Sequence, residues 1–172
     1  MKKQEFEFAA PGPFARLLPL LIGAGLPLIV VAVVALHPQR TAWAQVLPAL
    51  LVLPLVAGIL AFAMHRRKLV LEGDRISYHF IPWRSARLSE LDLDAARIVD
   101  LAQERALQPV FRLFGSALPG YRSGWFRLRN RTTAYVVLSD WSRVLVLPRR
   151  DGKLLLFSLQ KPDAVLDALR RG

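Results

Sequence analysis

The stretch GWFRLRNR, residues 124–131, alternates with a period of two. As a strand it sets Trp125, Arg127, Arg129 and Arg131 on one face and Phe126, Leu128 and Asn130 on the other. Phe126 and Leu128 are expected to enter a core, so an indole and three cations face away from it. Similar short runs lie on either side, near 68–72, 75–81, 84–89 and 96–101 before it and 133–139, 143–148 and 153–158 after it. They are rich in Val, Ile, Leu, Phe and Tyr. Turn signals such as Gly73-Asp74, Asn130-Arg131 and Asp151-Gly152 separate them. Strands at this spacing favour a sandwich or a partly open barrel.

The chain ends differently. In KPDAVLDALRRG, Pro162 suits a first helical turn, Asp163 the positive end of the helix dipole, and Arg170 and Arg171 its negative end. Val165, Leu166 and Leu169 fall on one side of that helix and are expected to cover an open end of the barrel.

The segment PVFRLFGSALPGYRSGWFRLRN (109–130), followed by AYVVLSD, VLVLPRRDGKLLLFSL and the helix from Pro162, resembles the bacterial pleckstrin-homology (PH) domain family. In that family a Gly-rich loop, a strand of the form Gly-aromatic-Phe-basic-Leu, two further strands and a Pro-initiated helix succeed one another. The close match covers about 109–170, and 68–101 resembles the first strands more loosely. The resemblance implies a mainly-β PH-like barrel over 65–172 with a C-terminal capping helix. Arg131 replaces the Gly usual after the Asn, at a point where Gly would tolerate a positive φ far more readily.

Upstream, no charge falls between Arg16 and Arg40. FARLLPLLIGAGLPLIVVAVVAL (14–36) and WAQVLPALLVLPLVAGILAFAM (43–64) each supply about the twenty apolar residues that a helix rising ~1.5 Å per residue needs to cross a bilayer. Only HPQRTA (37–42) separates them, so 14–64 reads as a transmembrane hairpin behind a short N-terminal segment, 1–13. A signal peptide has a shorter apolar centre, and Glu5 and Glu7 precede this one. Two helices apolar on every face exceed what a small soluble core encloses. The expected fold class is therefore an α+β membrane protein, a two-helix hairpin followed by the PH-like domain. Lys2, Lys3 and Arg16 before the first span, and Arg66, Arg67 and Lys68 after the second, predict both termini on the cytoplasmic side of a bacterial inner membrane. Pro19, Pro27, Pro48 and Pro54 require local adjustment within the spans. Gly23, Gly25, Ala57, Gly58 and Ala61 are candidates for close helix approach. Neither span carries an ionisable group at mid-membrane, which favours an anchor over a transport pathway.

The whole chain of 172 residues is 53% hydrophobic, with a mean hydropathy of +0.32 and a formal net charge of +11. It has no cysteine, in agreement with a reducing compartment. His37, His65 and His79 are too scattered for metal-ligand spacing. No serine has an evident base or nucleophile elbow beside it. Glu90, Asp92 and Asp94 in SELDLD read as a solvated strand end. No cofactor and no enzymatic activity are expected.

Charge remains the informative feature. Residues 105–150 contain nine arginines and one acid, Asp140. The candidate binding surface is Arg112, Gly115, Tyr121, Arg122, Trp125, Arg127 and Arg129, with the glycine-patterned stretch 115–124 expected as a recognition loop. Arg66, Arg67 and Lys68 form a membrane-proximal basic group. The basic loop between the first strands of phosphoinositide-binding PH domains corresponds here to Glu72-Gly73-Asp74-Arg75, which is half acidic, so that headgroup pocket is expected to be absent. A domain tethered this closely needs no lipid affinity for recruitment. A protein partner is therefore the first expectation, an anionic-lipid-sensing domain the alternative, and nucleic acid the last.

Overall fold

The computed structural model describes residues 3–36, 43–65, 68–78 and 84–171. His37, His79, Arg66 and Arg67 lie outside the described residues. The chain forms two compact units, one of Met1–Gly12 with Arg67–Gly172 and the other of Pro13–Arg66.

In the second unit, α1 (Pro13–Leu20) and α2 (Leu26–Leu36) are joined through a π-helical turn, Leu21–Gly25. Together they make one helix, Pro13–Leu36, long and apolar enough to cross a membrane. The wider turn falls between Pro19 and Pro27, where the Leu26 amide donates to Leu21 O. This is the local adjustment that prolines inside a span require. α3 spans Trp43–His65 and contains a shorter described apolar stretch, Leu50–Ile59. A Cβ added at Gly23 would lie 2.7 Å from the Ala57 Cβ, so this expected small-residue pair does bring two backbones together. Gly58 has open space around its Cα instead.

The first unit holds two sheets. One has the order β1 (Gln4–Glu7), β2 (Lys68–Glu72), β3 (Arg75–Tyr78), β4 (Arg84–Arg87), with antiparallel neighbours throughout. The other runs β5 (Arg97–Val99), β9 (Val144–Pro148), β10 (Leu154–Ser158), β8 (Thr133–Leu138), β7 (Tyr121–Leu128), β6 (Pro109–Leu118), and only β8 and β10 pair in parallel. Among the described residues the sheets are joined by isolated bridges, Phe8 to Leu159 and Leu91 to Arg149, rather than by a continuous ladder. The expected barrel thus takes the form of two sheets pinned at corners.

Residues 3–12, set apart in the sequence as an N-terminal segment, are part of this domain. QEFEF (4–8) alternates polar and aromatic residues. Phe6 pairs opposite Leu69 on the inner face, while Glu5 pairs with Val70 on the outer face and its carboxylate meets Lys68 Nζ at 2.7 Å. The Lys68 and Lys3 ammonium groups hold the Glu5 carboxyl below its ordinary range.

The six-stranded sheet is covered on both sides. Tyr78 of β3 packs against Tyr135 and Phe157, with ring centroids 5.0 and 5.3 Å away, and Phe8 meets Phe157 edge-on at 5.7 Å. On the other face Phe126, Leu128, Val136, Val146 and Leu156 cluster with Val99, Leu101 and Leu107. Burial on both faces explains why VVL, VLVL and LLLF run without alternation. α4 (Pro162–Arg170) packs on β5 and β9 with Val165, Ala168 and Leu169 buried, whereas Leu166 is half-buried.

Arg131 has a φ of 66°, the one positive value at a non-glycine among the described residues. The turn takes a left-handed geometry that glycine tolerates best, and an arginine bears the strain: Arg131 N donates to Leu128 O and Leu128 N to Thr132 O. Left-handed geometry costs an L residue roughly 1–2 kcal/mol, partly offset by the extra freedom glycine has when unfolded. Arg131→Gly is expected to stabilise the domain by up to about 1 kcal/mol in urea melts; a loss of stability would contradict the turn geometry.

Candidate binding surface on the β6–β7 hairpin

The stretch 115–124, expected as a loop, is mostly strand. β6 and β7 form a long hairpin turning at Pro119-Gly120, with Gly115 opposite Gly124. Both glycines lie at positive φ, 119° and 123°. An added Cβ at Gly115 would stand 2.1 Å from Ser123 O, and one at Gly124 would stand 2.2 Å from Phe114 O. Gly115 therefore permits close backbone approach, the usual reason for a strand glycine. At the tip, Gly12 N donates to Gly120 O at 3.2 Å.

The seven residues chosen from sequence do not share one face. Tyr121, Trp125 and Arg127 alternate onto the side that meets the other sheet, and Arg122 onto the side of Phe126 and Leu128. Tyr121 is buried. Trp125 is half-buried and edge-on to Tyr135 at 5.4 Å, with Lys153 Nζ 5.9 Å from its ring. Arg122 lies over the Trp141 ring at 4.9 Å and donates from Nη1 to Pro109 O. Desolvation lowers its pKa from the ordinary guanidinium value. Arg122 is thus tied into the base of the hairpin. Arg112, Arg127 and Arg129 are exposed, and Arg127 Nη1 donates to Arg131 O at 2.9 Å. Lys68 lies at the start of β2, paired with Glu5.

Several cations elsewhere meet acids. Arg149 meets Glu90 at 3.2 Å and Asp151 at 3.3 Å, Arg97 meets Glu104 at 3.0 Å, and Arg143 pairs with Asp163. SELDLD is accordingly not a free strand end. Its Ser89 and Glu90 belong to the 3-10 turn Leu88–Glu90, and Glu90 is held by Arg149. Arg75, Arg87 and Arg150 make no ion pair among the described residues, and neither do the five arginines Arg105, Arg112, Arg127, Arg129 and Arg131. These five gather near one end of the hairpin, because Arg129 N donates to Gln108 O and Asn130 N to Ala106 O.

Sequence reasoning missed the edge of β6. Val110, Phe111, Leu113 and Phe114 are 63, 65, 47 and 67% exposed, in a domain that otherwise buries such side chains. Two register shifts, between Pro109 and Phe111 and between Arg112 and Phe114, break the period-two pattern that would have marked the strand. Four large apolar residues around one arginine, with no regular period, were the available signal.

A two-sheet β-domain with a C-terminal helix on its larger sheet is the PH-like class. The family model for the bacterial PH domain matches residues 67–172, and the chain belongs to that family. No curated protein and no solved structure matches the chain. Membership suggests a protein or lipid interaction module.

Proposed function

We propose that this chain is a non-enzymatic interaction module anchored in the bacterial inner membrane by a two-span hairpin, with its PH-like domain and both termini in the cytoplasm. The observation that carries this reading is the pairing of β1 with β2. Glu7 stands opposite Lys68, so the chain between them leaves the domain and returns to it. That pairing supports an even number of crossings. If Pro13–Leu36 crosses once, the 23-residue helix Trp43–His65, about 35 Å long at 1.5 Å per residue, is the segment that returns. Lys2, Lys3 and Arg16 on one side of the hairpin and Arg66, Arg67 and Lys68 on the other support a cytoplasmic domain.

The contact surface in this reading is the unpaired arginine group beside β6, which suits an acidic protein or an anionic leaflet. Reporter fusions at residue 39 and after Gly172 test the topology. Position 39 is expected to report outside and the C-terminus inside; an external C-terminal signal refutes the cytoplasmic placement.

A further inference from the structure

Resting on the membrane-anchored reading, we propose that the outer edge of β6 is a leaflet contact, in which Val110, Phe111, Leu113 and Phe114 enter the headgroup boundary of an anionic membrane while Arg112 and Arg127 meet its phosphates. Four exposed large apolar side chains along one edge strand of a small domain mark an interaction site. Its rim selects the partner: arginines without carboxylate partners border it, and among the described residues from 105 to 131 there is no acid. Apolar side chains at the boundary and guanidinium groups among phosphates are what an anionic interface accommodates.

The edge is poorly suited to adding a strand from a protein. Two bulges distort β6, and bulged edges resist pairing. An antiparallel second copy centred on 110–114 would set Arg112 opposite Arg112, a repulsive pair. The tip of the hairpin is bonded to the residue that precedes the apolar helix. Gly120 at its tip accepts from Gly12, and the next residue, Pro13, opens the apolar helix. The six steps along the strand from Phe114 to Gly120 span at most about 20 Å, and the ten from Val110 about 33 Å, so Phe114 is the apolar residue of this edge nearest to Gly12 along the strand.

Because the chain has no cysteine, a single introduced one gives a unique label. Full-length Leu113→Cys and Phe114→Cys, with Asp167→Cys on α4 as control, would carry an environment-sensitive fluorophore in vesicles of phosphatidylcholine with or without phosphatidylglycerol. Labels at 113 and 114 are expected to shift to the blue and to be quenched by a lipid-borne quencher in the anionic vesicles, with the control unchanged. Arg112→Glu with Arg127→Glu is expected to return the signal to its value in neutral vesicles, while the thermal melt still shows a folded domain. Labels quenched equally by an aqueous quencher in both vesicles overturn the proposal. So does shielding without lipid quenching, which would indicate a protein contact. Impermeant labelling of Gln39→Cys reads the topology separately, so failure of the anchoring reading is told apart from failure of the leaflet contact.

Discussion

A fragment of residues 68–171 is expected not to melt cooperatively, whereas the same fragment preceded by residues 3–12 on a flexible linker is expected to do so. The family match begins at residue 67, yet β1 completes the smaller sheet ahead of it. Phe8 is 6% exposed and packs on Phe157. Around it Ala9 N donates to Ser158 O, Gln160 N to Glu7 O and Ser139 Oγ to Ala9 O, at 2.9, 3.1 and 2.8 Å. Truncating a buried Phe costs about 3–5 kcal/mol, and a domain of this size has roughly 5–15 kcal/mol in total. Losing Phe8, its strand and these corner bonds together removes most of that. Acid adds a small effect: the depressed Glu5 pKa stabilises the fold above the unfolded carboxylate range, and this is lost as pH falls through the folded value. Circular dichroism melts of the two fragments decide the matter, and equal cooperative melts would show β1 to be dispensable.

Gly124→Ala is expected to destabilise the linked domain by about 3 kcal/mol or more, combining backbone strain with overpacking. The added methyl would meet Phe114 O at 2.2 Å, a backbone atom that moves only if β6 moves. Such a loss corresponds to roughly a 10–20 °C fall in Tm for a domain of about this size. Arg127→Glu on the same strand is the control, since an exposed substitution changes stability by about 0.5 kcal/mol at most. Comparable melts for the two variants would show that β6 and β7 do not approach as closely as the paired glycines require.

Much of the larger sheet was legible because its strands are short, apolar and bounded by Gly or Asn turns. Runs expected near 133–139, 143–148 and 153–158 appear as Thr133–Leu138, Val144–Pro148 and Leu154–Ser158. The helix from Pro162 was legible from its proline and its apolar side. β1 was less so, since its partner strand lies some sixty residues away across the apolar hairpin; the alternation in QEFEF was present, but the two glutamates served only to argue against a signal peptide. The candidate site was read least well. Alternation in GWFRLRNR placed Phe126 and Leu128 correctly in a core, but a second sheet covers the opposite face and half-buries Trp125 there. Strand parity also sends Arg122 away from Arg127. The exposed edge of β6 escaped notice because its bulges erase the periodicity on which such readings depend.

On the proposed two-span reading, the ladder between Gln4–Glu7 and Lys68–Glu72 would make folding of the domain conditional on correct insertion of the helices. A chain whose second apolar segment stayed on the far side would hold these strands in different compartments. β2 would then keep an open edge, Phe157 would lose Phe8, and the corner at Leu159 would not close. Such a chain would present unpaired strand to proteases and chaperones, whereas a correctly inserted one would not. On that reading a strand made before the first helix would serve as a proofreading element, joining its partner only when both helices have found their place.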